Sequence, residues 1–422
     1  MKLRQFFLAA MCAGGLLTAN AQDNFISKYI ATNDSLERAI NEDKELLERM
    51  RNMPNIEVGK GITFEPQNKL YKMTMRFRMQ NMVAFDLDKD FSMNEVEARV
   101  KRLRLRFDGY IFSPKLLYSI QLGFTPYDAQ DLPNGNTNIV RDAIVYYMPN
   151  NSWNIGFGQT KIKANRARVN SSSALQFVDR SIVNSTFNVD RDFGFFGEYN
   201  KKLVNDFHLG LKGSITLGEG RNFSTGKNAG FAYTGRMELY PVGRFKSLGD
   251  VAEGDFEREE TVKFLLAGAF SYNDNTTRLH GQNGALMPDG ETRDLRSYFV
   301  DFILKYQGFA FYTDFMGRAC DKPLFESDKE AYVFTGNGLN LQTSYLFPKK
   351  WEIALRNSTL FPKKEVRELV GYKNYNQTTV AVTKYLIGHS LKVQADASYN
   401  HQSEALLPYN RWEFRFQVEL GL

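Results

Sequence analysis

Between Arg99 and Phe112 the chain reads R-V-K-R-L-R-L-R-F-D-G-Y-I-F, so Arg102, Arg104, Arg106 and Asp108 fall on one parity and Leu103, Leu105, Phe107 and Ile111 on the other. A period of two is the signature of a strand with two unlike faces. In a soluble sheet the leucine face would cover a core and the arginine face would meet water. The end of the chain favours another arrangement. Trp412, Phe414, Phe416, Val418, Leu420 and Leu422 alternate with Arg411, Glu413, Arg415, Gln417 and Glu419. Long strands with one apolar and one charged side, aromatic near their ends, suit a barrel with lipid outside and water inside. The arginines would then line a pore.

Residues 1–21 read as a secretory signal: Lys2 and Arg4, an apolar run from Phe6 to Leu17, then Ala19-Asn20-Ala21 before Gln22. Cys12 raises a lipoprotein signal as an alternative, but Met11 stands where a small residue is required. Past Asp23 no stretch has the roughly 18 apolar residues of a membrane helix, and mean hydropathy is −0.41. The formal charge of +6 falls to +4 once Lys2 and Arg4 are removed, too little to argue for nucleic acid. Without Cys12, Cys320 is alone, so no intrachain disulfide is expected and the fold must rest on backbone ladders and packing. Thirty-four Phe, 21 Tyr and 32 Gly against 12 Pro suit a large antiparallel sheet.

Residues 22–66 form a separate segment. Asp34 can cap a helix with Glu37 as its box partner, and Pro54 ends it. Leu36, Ile40, Leu47 and Met50 follow a heptad spacing with Asp43 in the remaining core slot. Two readings stand: a solvated amphipathic helix, or a small coiled coil at a trimer axis in the periplasm.

From residue 67 to 422 the period is two. About sixteen strands are expected, the even number a bacterial barrel requires, giving an all-β transmembrane antiparallel barrel preceded by a short α-helix. Connections alternate in length, as short periplasmic turns and long outer loops do. Ser113-Pro114-Lys115, Pro149-Asn150-Asn151, Gln307-Gly308 and Pro348-Lys349-Lys350 are short, whereas 125–138, 161–190, 218–230, 273–294 and 318–330 are long. Val242 to Thr261 breaks the rule, being long on the side expected to be periplasmic. Trp153, Trp351 and Trp412 each open a strand, where a membrane interface would hold an amphipathic ring.

Lys161, Lys163, Arg166 and Arg168 open the longest irregular connection. Such a loop is either an external solvated flap or a constriction folded into the barrel, and the basic ladder on the second strand favours the constriction. Lys212, Arg236, Lys263 and Lys392 occupy lumen parity elsewhere, together with Glu238, Asp301, Glu413 and Glu419. Arginine suits oxyanions because its planar fork donates two parallel hydrogen bonds and keeps its charge. The four histidines, His208, His280, His389 and His401, have no nucleophile or metal spacing, and no phosphate loop, dinucleotide fingerprint or paired-cysteine site is present. Neither catalysis nor a cofactor or metal is expected.

Several motifs resemble the phosphate-selective porins O and P, in the version that carries an N-terminal periplasmic helix. They are R-V-K-R-L-R-L-R-F-D-G-Y, the strand W-N-I-G-F-G-Q-T-K leading into the long loop, V-D-R-D-F-G-F-F-G after it, and the final aromatic strand. The resemblance implies a homotrimer of sixteen-stranded barrels in the outer membrane, an inward-folded third loop, and an arginine ladder leading phosphate to a lysine-lined constriction. Lys161 aligns with the family's lysine at the entry to that loop; where the family continues into prolines, this chain continues Ile162-Lys163-Ala164-Asn165. Passive diffusion of small anions, phosphate or polyphosphate among them, is the leading expectation. The alternatives are an unselective porin and a plugged barrel that engages a partner through its loops.

Overall fold

A computed structural model describes residues 53–131, 137–222, 230–405 and 409–422. The expected signal peptide and N-terminal helix lie outside the described residues. The compact unit comprises residues 56–63 and 69–422.

Sixteen antiparallel strands close on themselves: β1 (Tyr71–Asp88), β2 (Met93–Ile111), β3 (Ser113–Gly123), β4 (Val140–Tyr147), β5 (Trp153–Lys161), β6 (Arg191–Lys202), β7 (His208–Thr216), β8 (Ala232–Tyr240), β9 (Lys263–Thr276), β10 (Arg293–Tyr306), β11 (Phe309–Ala319), β12 (Gly336–Leu346), β13 (Trp351–Pro362), β14 (Asn374–Ile387), β15 (Leu391–Ser403) and β16 (Asn410–Gly421). Every strand pairs with its sequence neighbour. The pairing of β16 with β1, Arg411 against Asp88 through Gly421 against Arg78, removes both sheet edges.

Each expected strand is present. The longest hairpin is β1–β2, which runs on to a four-residue turn at 89–92. The ladder continues as far as Leu87 against Met93, so backbone bonds carry this hairpin past the point where apolar alternation fades. The expected twelfth strand begins later, at Gly336.

Side-chain alternation separates the two faces. Phe77, Ile120, Phe157, Phe195, Leu211, Leu266, Phe270, Val300, Ile353, Val380 and Phe416 are exposed on the outside. An apolar surface that circles the molecule is far more than a soluble protein tolerates and is what lipid requires. No helix of the described residues is long and apolar enough to cross a membrane. Trp153 packs tilted against Tyr199 at the end of the barrel nearer its termini, and Trp412 stacks on Phe91 and packs tilted against Tyr399 at the other.

The interior is not uniformly polar. Leu265 on β9, Phe299 and Ile303 on β10, and Tyr312 and Met316 on β11 point inward and form one apolar core with Ile162, Ala164, Val183, Phe187 and Val189 of connection 162–190. That connection therefore folds inside the barrel. It carries two short helices, α1 (Arg166–Val169) and α2 (Ile182–Phe187), the second capped by Ser181, whose hydroxyl accepts from the Asn184 amide. Connection 241–262 enters from the termini end. Phe245 joins the same core, and the Lys305 ammonium donates to the carbonyls of Gly249, Ala252 and Gly254 at 2.6, 3.0 and 2.6 Å. The length that broke the turn rule belongs to a segment used as filling.

Candidate functional site

The site is the lumen where the two inserted segments meet the charged wall. Arg102 and Arg104 face inward from β2 as their parity requires, and both lie beneath connection 162–190. The Arg102 Nη1 donates to Gln80 at 2.6 Å, with Asp179 at 3.7 Å. Arg104 forks onto Asp128 at 2.5 and 2.6 Å and donates to the Ser172 hydroxyl at 3.0 Å. Arg106, nearer the termini end and half exposed, shares Asp108 with Arg76. The ladder is thus lumenal, but its upper two members hold the loop.

A residue that alternation hid is Lys101. The β1–β2 register shifts between Gln80 and Asn81, leaving Lys101 as the extra residue of a β-bulge, so it and Arg102 both turn inward. Its ammonium donates to the Asp179 carboxylate at 2.6 Å and the Val178 carbonyl at 3.3 Å. Burial acts to raise the Asp179 carboxyl, but Lys101, Arg102 and Arg415 outweigh it and hold the group well below the ordinary carboxylate range. The same balance, set by Arg168 and Arg191, keeps Asp190 ionised.

Of the basic residues expected to open the loop, Lys161 donates to the carbonyls of Val169 and Asn170 at 3.1 and 3.4 Å. Lys163 pairs with Glu198 at 3.1 Å, and Arg168 forks onto Asp190. Arg166 reaches deepest. It donates to Asp301 at 2.9 Å, to Glu238 at 2.7 Å and to the Asp250 carbonyl, so one side chain joins the loop, the wall and connection 241–262. Arg236 and Lys212 share the same two acids, Arg236 bonding both and Lys212 pairing with Glu238 at 2.8 Å.

Lys392 donates to the Leu175 carbonyl at 2.8 Å, whereas Lys263 sits at the termini end and donates to the Val242 carbonyl. The loop's far limb is held by Asp396, which accepts from the Val178 amide, and by Arg356, which donates to the Asp179 carbonyl and lies over Phe177. Gln176 closes the contact between the two segments, its backbone N–H donating to the Glu253 carboxylate at 3.0 Å.

Charge is unevenly compensated here. Lys161, Arg180 and Arg221 bond only backbone carbonyls, and among the described residues none has a carboxylate within ion-pair distance. Arg180 and Arg168 line a cavity of about 480 Å³ at the end of the barrel away from the termini, with Tyr127, Tyr375, Gln377 and Arg415. Asp179 and α2 form part of its lining, so the inserted loop lies between this vestibule and the space below.

Comparison with known proteins agrees with this architecture. The sequence model of the phosphate-selective porin O and P family matches residues 73–406. No curated protein matches the chain by sequence. Among solved structures, an anion-selective porin from Comamonas acidovorans is similar at 10% identity and TM-score 0.52, covering 83% of this chain and 100% of that one. The outer-membrane channel DcaP of Acinetobacter baumannii is similar at 11% identity and TM-score 0.51, covering 86% and 100%. The in-vitro folded trimer form of the Vibrio cholerae outer-membrane protein OmpT is similar at 10% identity and TM-score 0.51, covering 83% and 99%. At such identities these likenesses concern the fold.

Proposed function

This chain belongs to the phosphate-selective porin O and P family and is an outer-membrane porin, a channel rather than an enzyme, and from that premise we propose that it passes small anions along the basic wall of its lumen. The observation that carries the proposal is the charge of Arg180 and Arg221, whose side chains bond only backbone carbonyls. Fixed cations whose partners are carbonyl dipoles leave a positive field in the water beside them, which concentrates anions and repels cations. Phosphate and polyphosphate are the solutes for which arginine forks are best shaped. In this reading Arg168, Arg180 and Arg415 collect an anion in the vestibule, Arg102, Arg104 and Arg106 pass it downward, and Lys161 marks the narrowest level.

The anion-selective name of the Comamonas porin and the trimer form of OmpT support the same reading, with three copies of this chain associating in the outer membrane; the N-terminal segment would then lie in the periplasm. The apolar core between the loop and β9–β11 favours a second reading, a barrel whose plug stays seated and whose loops bind a partner.

Planar-bilayer recording separates the two. Open steps in potassium chloride with an anion-selective reversal potential are expected from the wild type. Replacing Arg102, Arg104 and Arg106 together with glutamine should move the potential toward cation preference, while the triple lysine variant stays near wild type. Phosphate block of chloride current should weaken in both, since lysine keeps the charge but loses the fork. Silence of a correctly folded wild type would favour the plug. An unchanged potential in the glutamine variant would remove the arginines from the path.

A further inference from the structure

On β11, Ala310, Tyr312, Asp314, Met316 and Arg318 take the lumen parity, and Arg318 is 1% exposed. Its Nε, Nη1 and Nη2 have no hydrogen-bond partner. A guanidinium does not give up its proton, and a charge left bare in the interior costs several kcal/mol. Something outside the chain must complete this site.

The surroundings define what fits. Arg318 lines a cavity with Gln282, Asn273, His280, Ser271 and Ser297. Gln282, 5% exposed, has neither amide atom bonded, and Asn273 donates to the Gly218 carbonyl but leaves its Oδ1 without a partner. Around the cavity four nitrogens, three on Arg318 and one on Gln282, and two oxygens, one on Gln282 and one on Asn273, are without partners. Donors are in excess and no carboxylate lines the cavity. Burial and then the charge of Arg318 push His280 down to about 4, so it is neutral at physiological pH and adds no charge of its own. The space offered to the centre of a water-sized sphere is about 10 Å³. That is room for about one water-sized occupant. Water leaves the charge uncancelled, and the halides are among the smallest anions that would cancel it.

We propose that Arg318 and Gln282 form a buried halide site, with chloride as the occupant, that fastens connection 277–292 onto the inner wall at β9–β11. Arg318 supplies the charge from the wall, and Gln282 supplies an amide donor from the connection. The ion is a structural ligand, distinct from the solutes that permeate along the basic wall.

The experiment uses the purified full-length protein in detergent, with unfolding midpoints measured in sodium chloride and in sodium gluconate at equal ionic strength. The midpoint is expected to rise with chloride in a saturable way and to stay flat in gluconate. The R318Q variant should lose the difference. Crystals soaked in bromide should show an anomalous peak within hydrogen-bond distance of the Arg318 guanidinium and the Gln282 amide. Equal midpoints in the two salts, a chloride response that survives R318Q, or absence of the peak would overturn the proposal. If R318Q does not fold, Q282L and the wild-type bromide crystal decide. No readout depends on conductance, so a failed channel assay leaves this test intact.

Discussion

Arg166 is the side chain whose loss should do most to free the inserted loop. Its guanidinium binds Asp301 and Glu238, with side chains 2% exposed on Arg166, 1% on Glu238 and 2% on Asp301. Breaking a buried pair by removing one partner costs about 3–5 kcal/mol, chiefly because a bare charge remains. Here the two acids keep Arg236 and Lys212, so the lower end applies. For Arg166→Met we expect a loss of about 3 kcal/mol, which is roughly a hundredfold in the ratio of loop-displaced to loop-seated molecules. Native-state hydrogen exchange reads that ratio directly. The loop amides of Ile162 and Asn170, which donate to Asp190 and Arg166 carbonyls, should lose about two decades of protection. Ladder amides of β9 and β10 should keep theirs, because a closed sheet does not depend on its filling. Unchanged loop protection would mean that the apolar core alone holds the segment. An equal loss in the strands would mean that the loop is part of the global fold.

Because Asp179 and Asp190 are depressed below the ordinary aspartate value of 3.8, the stability they lend the loop is complete above that value and is lost as pH falls through their lower folded values. Loop accessibility to a protease should therefore be flat from pH 8 to about 4.5 and rise only in stronger acid. Gly338 on β12 lies under α2, where an added Cβ would come within 2.8 and 2.9 Å of the Val183 methyls and 3.1 Å of the Phe187 ring. Gly338→Ala should loosen α2 by about 1–3 kcal/mol, seen as faster exchange at Asn188, with the β12 ladder intact. Deleting residues 23–53 should weaken trimers in crosslinking while leaving a heat-modifiable barrel; a deleted chain that forms no barrel would place those residues inside the fold.

The strands were legible because lipid imposes one parity on every crossing, and that signal is repeated sixteen times. The paired state of the lumen was not legible, since alternation tells that Arg104 points inward but not that Asp128 waits there. Lys101 was missed for a related reason: a bulge inserts one residue, and parity counted back from Arg102 assigns Lys101 outward, whereas parity counted from Arg99 assigns it inward. The filled interior did leave a trace. F-L-L-A-G-A-F on β9 and Y-F-V-D-F-I-L on β10 are apolar on both parities, which a strand between lipid and water has no reason to be. The long, acid-rich connection 241–262 was the second trace, and Lys305 and Arg166 supply the cationic partners its carbonyls meet.

These two kinds of wall divide the labour within one lumen. On β9–β11 the inner face sets Leu265, Phe299, Ile303, Tyr312 and Met316 among the charged Asp301, Asp314 and Arg318, and burying side chains such as Ile162, Val183 and Phe187 against the apolar ones is worth about 1.5–3 kcal/mol each. That half anchors the loop. On β1, β2, β15 and β16 the inner face is charge, and the loop meets it through Asp179, Ser172, Val178 and Leu175, contacts that water or an anion can replace one at a time. A hydrogen bond to a charged group is worth about 1.5–3 kcal/mol. On the proposed reading the loop would part from the charged wall first, with its apolar side still seated. On the same reading, Lys101, Arg102 and Arg104, which hold the loop through Asp179 and Ser172, are the side chains an anion passing beside the loop would meet.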